Sequence, residues 1–132
     1  MPVLVDTSVW VDYFRSGEGL EHLDVLLDEN LVVTNKLILA ELIPFLRMRN
    51  QKRIIELLRS INLLRLEIDW EEISEFQYKC LKAGINGVGI PDLIIAQNAL
   101  RHRCLVFSRD NHFQLLRDVL RLEIVDVKSL PQ

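Results

Sequence analysis

The feature that most constrains the fold of this chain is the alternation of short apolar runs with helical patterns. The short runs are rich in Val, Ile and Leu and cover residues 3–5, 31–33, 63–68, 104–107 and 122–127. Helical patterns separate them and cover about 7–14, 20–29, 35–48, 50–59, 69–83, 92–102 and 111–119. Parallel strands need crossover connections, which are usually helices. The sequence therefore predicts an α/β fold, a three-layer α/β/α sandwich with a central parallel sheet of about five strands.

Length and composition predict one ordered domain spanning residues 1–132. The chain is 49% hydrophobic and 27% charged, with only five Gly and four Pro, which is typical of a compact fold. Cys80 and Cys104 both lie among apolar neighbours, so we expect reduced core cysteines of an intracellular protein. Asp6 interrupts the N-terminal apolar run before it could form a signal peptide. No apolar run approaches the roughly 20 residues that span a bilayer, so we expect a soluble, cytoplasmic protein with no membrane partner.

Four acidic residues stand in apolar surroundings. Asp6 ends the run 2–5, Glu41 lies inside 37–43, Asp92 opens 92–96, and Asp110 follows the run 104–107 by three residues. A carboxylate among apolar neighbours is costly unless it is paired, hydrogen-bonded or bound to a cation. The simplest reason that all four would share is a divalent metal site.

The positions of these acids in the predicted fold agree with such a site. Ligands of open parallel sheets bind outside the carboxyl ends of the strands. Asp6 and Asp110 follow two strands, Asp92 begins the helix before one of them, and Glu41 lies two turns into a helix. Carboxylate oxygens suit Mg²⁺ or Mn²⁺. This set of ligands is typical of metal-assisted phosphodiester hydrolysis.

Each acid also has an ordinary structural explanation. Asp6 and Asp110 could cap the helices that follow them, Asp92 suits the first turn of a helix, and Glu41 could face solvent. Zinc is not indicated, because His22, His102 and His112 show no paired spacing and the cysteines are isolated. The helix-capping and metal interpretations stay open at this point.

The net charge of −3 argues at first against a nucleic acid partner. Setting the four acids aside from a total of 19 leaves 15, against 16 Lys plus Arg, so the remaining surface is nearly neutral. Two basic clusters could hold nucleic acid phosphates, although both could equally be solvated surface. The first cluster is Arg47, Arg49, Lys52 and Arg53. The second is Arg101, His102, Arg103 and Arg109.

Four segments of the chain, in order and spacing, resemble the motifs of the PIN domain. These segments are Val5-Asp6-Thr7-Ser8-Val9, Ala40-Glu41-Leu42, Gly89-Ile90-Pro91-Asp92-Leu93-Ile94-Ile95-Ala96 and Ser108-Arg109-Asp110-Asn111-His112-Phe113. The resemblance covers the whole chain, and the size resembles the VapC toxins of toxin–antitoxin pairs. It implies an endoribonuclease dependent on Mg²⁺, for which Mn²⁺ substitutes. It further implies a homodimer and a cognate antitoxin protein that covers the active cleft.

The resemblance carries roles onto particular residues. Asp6 and Asp92 bind the metal, and Asp110 adds a direct or water-mediated ligand. Glu41 orients or deprotonates the attacking water, or holds a second metal. The hydroxyls of Ser8 and Ser108 position metal-bound waters or the phosphate. Arg47, Arg49, Arg53 and Arg109 are the candidate RNA-binding residues.

Other functions compatible with the same pattern are a housekeeping PIN nuclease of RNA processing and a non-catalytic metal-binding or receiver-like module. A receiver needs a second acid beside Asp6, which is missing here. Apolar side chains in the helices exceed what one buried face needs, which favours a protein partner. They are Trp10, Tyr13, Phe14, Leu42, Ile43, Phe45 and Leu46. We expect Trp70 to lie in the core.

Overall fold

The computed structural model describes residues 1–15 and 21–125, and in these ranges strands and helices alternate. The predicted loop 16–19 lies outside the described residues. The strands are β1 (Val3–Val5), β2 (Val32–Thr34), β3 (Asn62–Leu63) and β4 (Leu105–Phe107). The helices are α1 (Thr7–Arg15), α2 (Glu21–Asp28), α3 (Lys36–Met48), α4 (Lys52–Ser60), α5 (Trp70–Lys82), α6 (Ile90–His102) and α7 (Asn111–Leu120).

The four strands form one parallel sheet in the order β3-β2-β1-β4. The chain steps outward from β1 to β2 and β3, then returns across the sheet to pair β4 with the other side of β1. Strand β1 is therefore central, and its register pairs Val5 with Phe107 of β4. The strand order reverses at this pair, which is where open α/β sheets bind their ligands.

The helices pack in two groups that flank the sheet. Helix α3 contacts α1 and α4, whereas α5, α6 and α7 contact one another. All three residues of β1 are buried, as expected for a strand covered on both faces. The predicted α/β fold with a central parallel sheet is confirmed. Among the described residues, no helix has both the length and the apolar character that a membrane crossing requires.

The sheet has four strands rather than about five. In place of the predicted strand 122–127, Ile124 forms an isolated parallel bridge with Val106; residues 126–127 lie outside the described ranges. The predicted strand 63–68 shrinks to Asn62–Leu63, because β3 is an edge strand and its short neighbour β2 offers few partners. Side chains of α6 bond the next segment instead, since Asn98 Nδ2 donates to Arg65 O at 3.0 Å.

Two local predictions were wrong. The predicted helix 50–59 does not begin at Asn50, which has φ of 53°, a left-handed conformation that Asn tolerates; α4 begins at Lys52 with Gln51 as its N-cap. Trp70 is not in the core. It is the first residue of α5 and is 60% exposed, whereas Ile73 and Phe76 of the same helix are buried.

Most of the apolar side chains of α1 and α3 that exceed the needs of one buried face are nevertheless buried or partly buried within the fold. Trp10, Leu42 and Leu46 are fully buried. Tyr13, Phe14 and Phe45 are partly buried against the core. Cys80 and Cys104 are buried free thiols, as predicted.

Candidate active site

Asp6 lies where the sheet ends and α1 begins. Its backbone N–H donates to the carbonyl of Phe107 at 2.9 Å, and its own carbonyl accepts from Val9 N at 3.1 Å. The residue is only 6% exposed. Its carboxylate is therefore held at the carboxyl ends of β1 and β4 by the backbone on both sides.

Two serine hydroxyls bind the same oxygen of Asp6. Ser8 Oγ donates to Asp6 Oδ2 at 2.8 Å and Ser108 Oγ at 2.9 Å. Each hydroxyl also accepts a backbone N–H, Ser8 from Arg109 at 3.1 Å and Ser108 from Asp110 at 2.9 Å. A hydroxyl has one proton to donate, so these contacts fix the direction of both. The serines tie the loop after β4 to the loop after β1.

Asp110 is the N-cap of α7. Its Oδ1 accepts a 2.9 Å hydrogen bond from His112 N, so the helix-capping interpretation is correct for this residue. Capping does not remove Asp110 from the site. It fixes the side chain beside Asp92, which lies in the first turn of α6.

His112 lies between these two carboxylates. Its Nδ1 is 3.3 Å from Asp92 Oδ2 and 3.4 Å from Asp110 Oδ1. One possible ligand atom from each of the three side chains lies within 4.8 Å of the others. His112 was not among the predicted site residues, because Asp92 is 20 residues away on another helix and the sequence has no pair of histidines at metal-ligand spacing. The available signal was a histidine two residues after a capping aspartate.

Glu41 reaches the site from the side of α3. Helix α3 is fixed at its start by Asn35, whose Oδ1 accepts from Ile38 N at 2.9 Å. Glu41 is exposed on this helix, and Thr7 Oγ1 donates to its Oε1 at 3.2 Å. Thr7, next to Asp6 in the chain, is a second site residue that the sequence analysis did not single out.

Loss of surrounding water and the charges of neighbouring acids raise the pKa values of Asp92 and Glu41. Burial raises the pKa of Asp92, and the charges of Asp110 and Asp6 raise it further, while His112 lowers it. Glu41 is exposed as a residue, but the loss of water around its carboxyl group raises its pKa; the Thr7 hydrogen bond lowers that pKa, and the charges of Asp6 and Asp92 raise it. Like charges must be close to act in this way. The structure therefore brings Asp6, Glu41, Asp92 and Asp110 into one acidic cluster.

Of the predicted RNA-binding residues, Arg109 borders this cluster. Its backbone bonds Ser8, and its Nε is 3.2 Å from Asp12 Oδ2. Arg49 instead stacks over the Phe45 ring at 3.8 Å. Arg47 and Arg53 are exposed near the α3–α4 junction, with Arg47 roughly 9 Å along the helix axis from Glu41.

The fold and the cluster together define a class, an α/β domain with carboxylates at the switch point of a parallel sheet. The family model of the PIN domain matches residues 3–119. The chain belongs to the PIN-domain family.

Relatives cover nearly the whole chain. Ribonuclease VapC11 of Mycobacterium tuberculosis is 25% identical over 128 residues, which is 92% of this chain and 96% of that protein. A VapC ribonuclease of Mycobacterium bovis matches to the same extent.

Solved structures resemble the fold. VapBC2 of Rickettsia felis, bound to a promoter DNA fragment, has a TM-score of 0.75 at 16% identity, covering 95% of this chain and 98% of that one. VapBC-1 of nontypeable Haemophilus influenzae has a TM-score of 0.74 at 19% identity, covering 98% and 100%. At these identities the similarity concerns the fold alone.

Proposed function

We propose that this protein is a divalent-metal-dependent endoribonuclease and the toxin of a VapBC-type toxin–antitoxin pair. The observation that carries the proposal is the convergence of Asp6, Glu41, Asp92 and Asp110 at the carboxyl ends of β1 and β4. Membership of the PIN family and relatives named as VapC ribonucleases support it.

The residues of the cluster fit a hard divalent cation. The donors are carboxylate oxygens, which Mg²⁺ and Mn²⁺ prefer. The raised pKa values of Asp92 and Glu41 reflect burial and mutual repulsion that a cation would relieve. Asp6, Asp92 and Asp110 would hold the metal. When bound, it would supply Lewis-acid activation of water and charge neutralisation at the phosphate.

The chain's own groups then have separate tasks. Ser8 and Ser108 both donate to Oδ2 of Asp6, which would leave Oδ1 to bind the cation. Glu41 lies outside this bonded network apart from the Thr7 contact, so its carboxylate would remain able to accept a proton from water. We assign to Glu41 the removal of a proton from the attacking water.

Arg109 is the residue best placed to contact RNA. It follows Ser108 and precedes Asp110, so its guanidinium stands at the rim of the acidic cluster. Its Nε is 3.2 Å from Asp12 Oδ2 on α1. A phosphate next to the cleaved bond would bind there, because a guanidinium recognises phosphate with two parallel hydrogen bonds. Arg47 and Arg53 extend the proposed RNA path along α3 and α4.

The proposed partners are RNA as substrate, a cognate antitoxin that covers the cleft, and a second copy of the chain. The VapBC pairs among the structural neighbours support an antitoxin. Several large apolar side chains are also exposed, a pattern that favours a protein partner. They include Trp70, Tyr78, Leu81 and Ile90.

The test is cleavage of a pool of structured RNAs by purified protein in Mg²⁺ or Mn²⁺. Parallel reactions contain EDTA or the Asp92→Asn variant, which keeps the size and hydrogen-bonding shape of the side chain. Cutting that requires both the metal and Asp92 supports the proposal. Cutting that persists in EDTA, or in a folded Asp92→Asn protein, overturns it. Inhibition by the product of an adjacent short reading frame would separate a toxin from a housekeeping nuclease.

A further inference from the structure

His112 is the one histidine of the described residues whose ring nitrogen contacts two carboxylates of the acidic cluster. Its Nδ1 can carry only one hydrogen, yet it faces Asp92 Oδ2 and Asp110 Oδ1 at 3.3 and 3.4 Å. A hydrogen bond between imidazolium and carboxylate settles at about 2.7–2.9 Å. Both contacts are longer than that: Nδ1 makes a long hydrogen bond with Asp92 and a looser contact with Asp110, so neither carboxylate holds Nδ1 at the ideal distance.

The distances from Nδ1 to the two carboxylate oxygens match those between ligands of one metal ion. Two ligands at neighbouring corners of an octahedron lie about 3 Å apart when each is roughly 2.1 Å from the ion. The distances from Nδ1 to the two carboxylate oxygens are close to that edge length. Nδ1 is therefore spaced from both oxygens as one ligand is from two neighbouring ligands of the same ion, and possible ligand atoms of the three side chains all lie within 4.8 Å of one another.

The ring is held in this orientation by the fold. Phe113 and Leu116 are buried in the core and fix the rotation of α7. The backbone N–H of His112 bonds the capping carboxylate of Asp110. On the far side, Nε2 lies beside Gly87, 3.9 Å from where a Cβ would stand. Nδ1 thus points inward between the acids, and the 35% exposed side chain leaves Nε2–H able to donate to solvent.

We propose that His112 Nδ1 is a ligand of the same metal ion as Asp92 and Asp110, which makes a mixed nitrogen–oxygen site selective for Mn²⁺ over Mg²⁺. This inference rests on the proposed function, since it concerns the metal of that site. Imidazole nitrogen binds first-row transition metals and is a poor ligand for Mg²⁺. An all-carboxylate site has no such preference built in.

The test is metal binding, measured without RNA. Mn²⁺ and Mg²⁺ affinities are determined calorimetrically for the wild type and for His112→Asn and His112→Gln. Two variants are used so that the test remains valid if one of them does not fold. His102→Asn is the matched control, because His102 lies at the opposite end of α6, about 15 Å from Asp92. We expect the His112 variants to lose at least about tenfold in Mn²⁺ affinity and to change little in Mg²⁺ affinity.

Pulsed electron paramagnetic resonance of the Mn²⁺ complex gives a direct readout. We expect ¹⁴N modulation in the wild type and in His102→Asn. It should change to the ¹⁵N pattern when histidine is ¹⁵N-labelled and disappear in His112→Asn. Absence of histidine nitrogen coupling in the wild type overturns the inference, as does an equal loss of Mn²⁺ and Mg²⁺ affinity. Neither result affects the nuclease proposal, whereas a wild type that binds neither metal would overturn both.

Discussion

Ser108 donates a 2.9 Å hydrogen bond to Oδ2 of Asp6, a residue that precedes it by 102 positions. The bond joins the ends of the neighbouring strands β1 and β4 and leaves the second oxygen of Asp6 for another partner. Because Ser108 Oγ is itself fixed by the Asp110 backbone, Asp6 and Asp110 are coupled through one hydroxyl.

Ser108→Ala should weaken metal binding without unfolding the protein. The variant removes the hydroxyl that orients Asp6, and loss of such outer contacts typically costs about 10- to 100-fold in metal affinity or activity. Calorimetric titration with Mn²⁺ measures the change. Ser60→Ala is the matched control, since Ser60 Oγ donates to Leu57 O on α4. An unchanged affinity in Ser108→Ala would show that Asp6 needs no such support.

Glu41→Gln should lower RNA cleavage while leaving the tightest metal site intact. The amide keeps the shape of the side chain but cannot accept a proton, and general-base catalysis contributes about 10²–10⁴-fold to rates. Single-turnover cleavage at saturating metal measures the loss. Thr7→Val removes the hydrogen bond that lowers the pKa of Glu41. The pH dependence of the cleavage rate of this variant should therefore shift toward higher pH. Full activity in Glu41→Gln would remove Glu41 from the mechanism.

The metal-free protein should become less stable as the pH rises through the acidic range. Asp92 and Glu41 have folded-state pKa values above their ordinary 3.8 and 4.5, so the folded state binds these protons more tightly than the unfolded state. Their stabilising contribution is complete below the ordinary values and is lost as the pH rises through the raised ones. The expected observable is a melting temperature in EDTA that falls over this window.

The variant Asp92→Asn provides the control for this pH dependence. It cannot ionise at position 92, so its slope in EDTA should be shallower and its melting temperature at neutral pH a few degrees higher. Saturating Mg²⁺ should raise the melting temperature of the wild type more than that of the variant, because a ligand stabilises only the state that binds it. Identical pH profiles for the two proteins would contradict the prediction.

Asn35→Ala should destabilise the fold by about 2 kcal/mol, since it removes an N-cap and leaves a buried amide unpaired. Asn35 Oδ1 caps α3, and its Nδ2 donates to Asn98 Oδ1 at 2.8 Å, with both residues buried. Urea unfolding measures the free energy. The exposed helix cap Gln51, whose side chain makes no capping bond, supplies a control in Gln51→Ala. A cost below about 0.5 kcal/mol would mean that α3 is held by packing alone.

The sequence by itself determined the α/β class and the acidic cluster. Both follow from local chemistry, because buried strands demand apolar runs and a carboxylate in such a run demands a partner. The same local reasoning predicted more strands, and a longer third strand, than the sheet of the described residues has. Residues 64–68 can extend the sheet only if the neighbouring strand is long enough to pair with them. Strand β2 is short, and side chains of α6 bond this segment instead.

Only the tertiary structure decided which side chains meet the four acids. His112 and Asp92 lie on different helices, Thr7 meets Glu41 across 34 positions, and Ser8 and Ser108 share one oxygen of Asp6 across 100. No periodicity records such pairings, because they depend on the crossover that carries β4 back beside β1. The sequence alone identifies the four carboxylates, whereas the order of the strands decides which groups orient them.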